Sequence, residues 1–182
     1  MRNRIDLAKY FKELGFKRGA EIGVSFGYYS EVLCKNIPGL KLISVDSWNS
    51  AGNRAREFKL NLSAEAETRR KLASYEVLVI KGDSLEVAEQ VQDESLDFVF
   101  IDAGHGYTSV KSDIEAWSKK VKNGGIVSGH DYYVFLHSGN RGVIDAVNEY
   151  VKKHNYHLQV IDWDRDNPVR DDRPPCWYFV KT

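Results

Sequence analysis

One acid and two glycines form a short motif near the start of the chain, Glu21-x-Gly23-x-x-x-Gly27. An apolar run leads into the acid, and a helix-like pattern begins at Tyr28. Glycines allow a ligand to approach the backbone closely, and the free N–H groups at a helix start point towards it. A site for a pyrophosphate alone would not favour the carboxylate of Glu21. We therefore expect a nucleotide-like ligand that also carries a cationic group.

Carboxylates also lie at or near the ends of four further apolar runs. They are Asp46, Asp83, Asp102 and Asp131. Ligands of open α/β sheets bind beyond the carboxyl ends of the strands, so these acids are expected to converge at one edge of a sheet. Asp46 follows the second run, where an acid can accept hydrogen bonds from both hydroxyls of a ribose. A helix N-cap or a solvated loop acid is the alternative for Asp46.

Residues beside these acids could complete a nucleoside site. Ser47 and Trp48 directly follow Asp46, and the indole of Trp48 could either lie against an adenine or belong to the core. Asp83 could accept from the adenine amino group, while the backbone N–H of Ser84 donates to a ring nitrogen. Asp and Ser are also favoured helix N-caps, and the two roles are compatible.

The elements that must position these residues alternate in type along the chain. Short apolar runs without clean alternation are typical of strands buried on both faces, and amphipathic stretches between them predict helices. This alternation predicts an α/β fold with a parallel sheet and helices on both faces. The last two strand candidates, without a helix between them, look like an antiparallel pair. The predicted strands are 19–24, 41–46, 76–81, 96–102, 125–128, 158–163 and 177–180.

Apolar spacing locates the predicted helices. One precedes the first strand and closes at Gly15, one closes at the Asn123-Gly124-Gly125 stop signal, and one precedes the sixth strand. A further helix is expected within the polar stretch 49–74, which could form part of a lid. The apolar positions are Leu7, Phe11 and Leu14; Val110, Ile114, Trp117 and Val121; Val143, Val147, Tyr150 and Val151; and Phe58 and Leu62.

Composition limits the classes of partner. The 182 residues are enough for a single domain, and 26 basic against 26 acidic residues give no net field for nucleic acid. No apolar run is long enough to span a membrane, and the first residues lack a signal-peptide pattern. Cys34 and Cys176 are far apart and outside any CxxC pattern, which favours reduced thiols in a cytoplasmic protein.

Taken together, these residues resemble the class I S-adenosylmethionine-dependent methyltransferases from residue 19 to the last strand. The resemblance implies a Rossmann-like, mostly parallel seven-stranded sheet whose last strand is antiparallel. It also implies that the carboxylate of Glu21 lies near the amino group of the methionine moiety, and that Ser25 stands where the family commonly has a glycine. The residues that the resemblance assigns to the cofactor are Glu21, Gly23, Ser25, Gly27, Asp46, Ser47, Trp48, Asp83, Ser84 and Asp102.

Two further segments are similar to the bacterial macrolide-sugar and catechol O-methyltransferases. They are Phe100-Ile101-Asp102-x-x-His105-x-Tyr107 and Gly129-His130-Asp131-Tyr132. This resemblance implies a divalent metal held by Asp102, His130 and Asp131, although His130 stands where relatives have an acid. Oxygen ligands alone suit Mg²⁺, whereas an imidazole suits Mn²⁺, Fe²⁺ or Zn²⁺ better.

The reaction implied by the resemblance is methyl transfer to a hydroxyl of a small molecule, such as a sugar or an aromatic compound. The sulfonium already activates the methyl group, so the protein must hold the nucleophile in line and remove its proton. His105 is the first candidate base, because catechol enzymes carry a catalytic lysine at that offset, and His130 is the second. A structural role or metal ligation is the alternative for His105. The expected acceptor walls are 49–56 and 132–141, where His137 either lines the pocket or is an ordinary loop residue.

Two other functions remain open. A nicotinamide-dependent oxidoreductase shares the sheet and the acid after its second strand, but it would want G-x-G-x-x-G, and Ser25 stands at the second glycine. A non-catalytic cofactor-binding domain of the same fold would not need His105, His130 and Asp131. A homo-oligomer is also open.

Overall fold

The computed structural model describes residues 1–49 and 55–182, and it describes no side chain between residues 50 and 61. Most of the predicted acceptor wall at 49–56 and the side chain of Phe58 therefore lie outside the described residues. The strands are β1 (Arg18–Ile22), β2 (Lys41–Asp46), β3 (Val77–Lys81), β4 (Leu96–Ile101), β5 (Val121–Gly129), β6 (Gln159–Ile161) and β7 (Cys176–Val180). The helices are α1 (Arg4–Glu13), α2 (Tyr28–Asn36), α3 (Ala55–Leu72), α4 (Ser84–Gln90), α5 (Tyr107–Trp117) and α6 (Gly142–His154).

All seven of these strands form one sheet in the order β3-β2-β1-β4-β5-β7-β6. The pairs from β3 to β5 are parallel, and β7 is antiparallel to both β5 and β6. The predicted α/β, Rossmann-like fold with an antiparallel last strand is confirmed. Since the order reverses direction between the neighbours β1 and β4, their carboxyl ends flank the switch point at which ligands bind in such sheets.

The fifth strand begins earlier than predicted, and the helix before it ends sooner. Val121 pairs with Leu96 as the first residue of β5 instead of closing α5, which ends at Trp117. The glycine pair that was expected to stop the helix lies inside the strand, where the register jumps to Phe98 opposite Ile126. A bulge absorbs these extra residues, and glycine inside a strand is a common mark of one.

The helices cover both faces of the sheet, as predicted. On one face α1 and α2 bury Phe11 and Leu33 against Phe98 of β4, and on the other α5 and α6 bury Trp117 and Val147. Five of the six residues of β4 are apolar, and the exception, Asp97, is also buried and accepts the backbone N–H groups of Lys17 and Arg18. The prediction for Leu14 is wrong: it follows the end of α1, and 43% of its surface is exposed. Within the described part of the chain, we find no helix suited by length and hydropathy to crossing a membrane.

Candidate functional site

Two cavities open at the carboxyl edge of the sheet and share Gly23, Ser25 and Asp102 in their walls. The first, of about 430 Å³, is called the histidine cavity, and its walls include Glu21, Tyr28, His105, His130, Asp131 and Tyr133. The second, of about 360 Å³, is called the Asp46 cavity, and its walls include Asp46, Ser47, Asp83, Ser84 and Asp113. The shared residues make the two cavities adjoining arms of one cleft.

Gly23 stands where the first turn approaches the loop after β4. Its φ of 89° favours glycine, and a Cβ atom there would overlap the backbone carbonyl of Asp102. Backbone hydrogen bonds hold the same region, because Gly23 N–H donates to Val45 O (2.9 Å) and Asp102 N–H donates to Ile22 O (2.7 Å). Gly23 thus lets the first turn lie against the backbone of Asp102, in the wall that the two cavities share.

Asp46 organises the turn through its carboxylate. One oxygen accepts the backbone N–H of Ser25 (2.8 Å), and the other accepts the backbone N–H of Trp48 (2.7 Å). The indole of Trp48 donates to Ser25 O (2.8 Å) and packs with Val24 and Ala64, so that 6% of Trp48 is exposed. Trp48 lines neither of the two cavities, and the core alternative describes its position.

Asp83 and Ser84 line the Asp46 cavity and also begin α4. The carboxylate of Asp83 accepts the N–H groups of Leu85 (2.9 Å) and Glu86 (3.3 Å), as an N-cap does. The hydroxyl of Ser84 donates to Asp113, a buried acid whose pKa is raised by its burial. The side chain of Asp83 therefore caps α4 and that of Ser84 links α4 to α5, while both residues remain on the cavity wall.

Glu21 is buried beneath the histidine cavity. Its carboxylate accepts the hydroxyl of Ser30, which in turn lies 2.8 Å from the hydroxyl of Ser44. Burial raises the pKa of Glu21 to about 8, although the Ser30 hydrogen bond and the charge of Arg4 act in the opposite direction. The carboxyl group is thus largely neutral near pH 7 until a cation approaches it.

Three side chains from the loops after β4 and β5 converge in the histidine cavity. The Nε2 atom of His105 lies 2.9 Å from Asp131 Oδ2 and 4.0 Å from Asp102 Oδ1. These contacts with Asp102 and Asp131 raise the pKa of His105 to about 9. Burial alone would raise the pKa of Asp131, but His105 and His130 outweigh it and hold that pKa well below its usual range.

His130 lies deeper than His105, with 6% of its surface exposed. Its Nδ1 atom is 3.2 Å from Asp131 Oδ1 and 3.7 Å from Asp102 Oδ2. Its Nε2 atom is buried and has no hydrogen-bond partner among the residues that the structure describes. His130 is therefore near the other oxygen of each carboxylate than the one that His105 approaches.

The compact set of metal-type donors differs in one member from the predicted set. Ligand atoms of Asp102, His105 and Asp131 all lie within 4.8 Å of one another. The structure therefore brings both histidines to the two acids, and His105 is the one whose ligand atom belongs to the mutually close set. Two carboxylates and an imidazole suit a first-row transition metal better than Mg²⁺.

Sequence reasoning missed a buried cation beside these acids. The guanidinium of Arg4, from α1, donates to Asp172 Oδ1 (2.6 Å) and lies 3.4 Å from Asp102 Oδ2. Its pKa is raised because the attraction of Asp102 and Asp172 outweighs burial, and the Tyr28 hydroxyl also donates to Asp172 (2.9 Å). The sequence could have indicated this burial, because Arg4 lies three residues before Leu7 and therefore on the same, buried face of α1.

Aromatic rings continue outward from His105. The ring centroid of Phe135 lies 5.1 Å from that of the imidazole. The centroid of Tyr133 lies 4.5 Å from that of Phe135, and the centroid of Trp163 lies 4.9 Å from that of Tyr133. We call these three residues the aromatic row. The predicted wall at 132–141 contributes two of them, whereas His137 is exposed and lines neither cavity.

Comparisons with known proteins agree with this geometry. The sequence profile of a family described as a methyltransferase domain matches residues 20–132. A search of curated protein sequences gave no match. The structure resembles that of a candidate caffeoyl-CoA O-methyltransferase from Staphylococcus aureus, with a TM-score of 0.69, 19% identity, and coverage of 97% of this chain and 82% of that chain.

Two ligand-bound structures are similar to a comparable degree. One is an O-methyltransferase from Bacillus cereus in complex with SAH, with a TM-score of 0.67, 17% identity, and coverage of 97% and 81% of the two chains. The other is TomG from Streptomyces achromogenes, an O-methyltransferase involved in tomaymycin synthesis, in complex with SAM; its TM-score is 0.68, its identity 17%, and the coverage 98% and 80%. At such identities these likenesses show the fold.

Proposed function

This chain belongs to the methyltransferase-domain family, and from that premise we propose that it transfers the methyl group of S-adenosylmethionine to a hydroxyl of a small molecule. The observation that carries the proposal is the two-armed cleft. A cavity suited to a nucleoside meets a cavity that holds a histidine and two acids, and the two share the wall at Gly23, Ser25 and Asp102.

In the proposed complex the nucleoside lies in the Asp46 cavity. Asp46 and Ser47 face the ribose, and Asp83 and Ser84 face the adenine, on the wall that these four residues form. The methionine moiety extends past Gly23 into the histidine cavity, where Glu21 lies beneath it. An ammonium group there favours the ionised form of Glu21, since an opposite charge stabilises a buried carboxylate.

His105 is the proposed general base, acting in its neutral form, which the pKa of about 9 makes the minor form at pH 7 and an increasing fraction at alkaline pH. Its imidazole is 40% exposed on the cavity wall and that of His130 is 5% exposed, so His105 is the more accessible ring, although its Nε2 atom is itself buried beside Asp131. Asp102 and Asp131 orient the ring and stabilise the imidazolium that forms when it takes a proton. The sulfonium of the cofactor already activates the methyl group. The other task of the site is therefore to hold the acceptor hydroxyl in line with that methyl group.

The residues also fit a divalent metal. Asp102, His105 and Asp131 would hold it, because their ligand atoms already lie within 4.8 Å of one another. A bound metal would supply Lewis acidity that lowers the pKa of an acceptor hydroxyl. In that case His105 serves as a ligand, and base and ligand are mutually exclusive roles for its Nε2 atom.

The aromatic row supports an acceptor with a ring. Its faces begin beside His105 and lead outward to Trp163, which is 40% exposed, so a flat ring or the apolar face of a sugar could pack along them. The buried unpaired thiols of Cys34 and Cys176 support the proposal of a cytoplasmic location.

Calorimetry and a methyl-transfer assay test the function. We expect S-adenosylmethionine and its demethylated product to bind, NAD to give no heat, and label from the methyl donor to reach members of a panel of catechols and hydroxylated sugars. Binding without transfer to any acceptor would favour a cofactor-binding domain. NAD binding without binding of the methyl donor would contradict the proposal.

A further inference from the structure

A small hairpin follows β5 and leads into α6. Phe135 N–H donates to Asn140 O (3.0 Å), which forms an antiparallel bridge, and Gly139 N–H donates back to Phe135 O (2.8 Å). We call residues 135–140 the hairpin. Its tip is exposed, with Leu136 at 94%, so the residues at its base carry its contacts with the rest of the chain.

The side chain of Asn140 joins the hairpin to the loop that carries His105. Its Nδ2 atom donates to the backbone carbonyl of His105 (2.9 Å), and its Oδ1 atom accepts the N–H of Gly142 (2.9 Å). A carboxamide is suited to this bridge because it offers a donor and an acceptor on one planar group. Asn140 therefore connects the start of α6 with the backbone of His105.

Two further contacts restrain the loop that carries His105. The ring of Phe135 packs against the imidazole of His105 at 5.1 Å between centroids and an angle of 37°. Gly142 lies so close that a Cβ atom would overlap the carbonyl of His105 and the nitrogen of Tyr107. The backbone and the ring of His105 are thus both held by residues that follow β5.

This restraint matters because the side chain of His105 extends from the loop after β4 to a partner on the loop after β5. It follows β4 by four residues, and its Nε2 atom meets Asp131, at the end of β5. A half-exposed side chain on a short irregular loop loses rotamer freedom when it is fixed, and a functional group must be fixed to be effective. The three contacts supply that restraint.

We propose that Asn140 is a positioning residue for His105, acting with Phe135 through the hairpin. The role holds whether His105 acts as base or as metal ligand, and its consequence for turnover rests on the proposed function. The hairpin also contributes Phe135, the member of the aromatic row whose ring packs against His105.

The direct test is nitrogen NMR of the histidine rings in the full chain. His105→Gln assigns the signals of His105 among the five histidines. We expect Asn140→Ala to shift or broaden the His105 ring signals. Asn140→Asp should act in the same way, because it keeps the acceptor for Gly142 N–H but loses the donor to the His105 carbonyl. Unchanged His105 signals in either variant would overturn the proposal.

Asn148→Ala is the matched control. Asn148 lies on α6, and its amide oxygen accepts a hydrogen bond from the hydroxyl of Tyr132 (2.8 Å). Asn148 makes no contact with His105. We expect this variant to leave the His105 signals in place, and an equal shift in it would also overturn the proposal. Phe135→Leu provides a second variant should Asn140→Ala fail to fold, with broadened His105 signals as the expected result.

Turnover supplies a second readout that separates the two proposals. With a catechol that the wild type methylates, Asn140→Ala should lower kcat about 10- to 100-fold and leave the affinity for S-adenosylhomocysteine unchanged, since a misplaced group slows chemistry without altering the cofactor arm. An unchanged kcat would contradict the positioning role. Absence of methyl transfer by the wild type would refute the proposed function, whereas the NMR result would stand by itself.

Discussion

His105 and Asp131 meet across the ends of two neighbouring strands, with 2.9 Å between Nε2 and Oδ2. The two residues are far apart in the chain and belong to different loops, so the contact exists because β4 and β5 are parallel neighbours. It favours the imidazolium and the carboxylate together, which raises one pKa and lowers the other. The expected consequences of this pair and of its surroundings can be measured separately.

Substitution of His105 should separate catalysis from cofactor binding. His105→Gln keeps a polar side chain of similar size but cannot accept a proton, so we expect turnover to fall about 10²- to 10⁴-fold. The affinity for S-adenosylhomocysteine should change less than threefold, because the Asp46 cavity is untouched. His137→Gln, at an exposed position, is the control and should behave as wild type. Full activity of His105→Gln would remove both roles from this residue.

Metal binding should follow the donor set of the structure. Mn²⁺ titration followed by electron paramagnetic resonance is expected to show one bound ion, and Asp131→Asn or His105→Gln should weaken binding at least tenfold. His137→Gln again serves as control. If the wild type binds no Mn²⁺ and activity survives dialysis against a chelator, the metal is excluded and the base role of His105 remains.

Cofactor binding should release a proton from Glu21. The pKa of Glu21 is about 8 because the group is buried, and an ammonium group beside it would lower that pKa, so binding at pH 7 should ionise the group. Calorimetry with S-adenosylmethionine in two buffers of different ionisation enthalpy measures this release. Glu21→Gln should lose the buffer dependence. Heats that are the same in both buffers for the wild type would show that Glu21 does not sense the ligand.

The same group should make stability of the free protein depend on pH. The folded pKa of about 8 lies above the ordinary value of 4.5, so the contribution of Glu21 is fully present below about pH 4.5 and is lost as pH rises through 8. The loss is on the order of 5 kcal/mol. Urea unfolding of the wild type and of Glu21→Gln between pH 5 and 9 checks this difference. A difference that stays constant across that range would contradict the shifted pKa.

Replacing only one partner of the Arg4–Asp172 ion pair should lower the free energy of unfolding substantially. Arg4→Met leaves Asp172, which is 0% exposed, with the Tyr28 hydroxyl but without its cation. We expect a loss of about 3–5 kcal/mol in the free energy of unfolding, because a buried charge then lacks its partner.

A double variant and a surface pair test this interpretation. Replacing both partners, as in Arg4→Met with Asp172→Leu, should recover part of the loss, since neither charge is then buried. Lys9→Met removes an exposed ion pair with Asp6 and should cost less than about 1 kcal/mol. If Arg4→Met and Lys9→Met lowered the free energy of unfolding equally, burial of the Arg4 pair would not add to its contribution to stability.

Much of the fold could be read from local patterns. The strand at 41–46 has the predicted bounds, α2 begins at Tyr28 as expected, and the antiparallel position of the last strand is confirmed. These elements could be predicted because buried parallel strands are short apolar runs and because amphipathic helices repeat every 3.6 residues. Val121 was misassigned because its spacing from Trp117 fits a helix, whereas pairing with Leu96 decides its state.

The sequence by itself determined which residues stand at the ends of the strands, since chain order and apolar runs are local properties. It placed Glu21, Asp46, Asp102 and Asp131 at one edge of the sheet. The tertiary structure decided which of their neighbours meet: His105 rather than His130 joins the compact donor set, Arg4 arrives from α1, and Trp48 lies in the core. Distances between side chains on different loops depend on strand register, loop conformation and packing, and no local pattern encodes those.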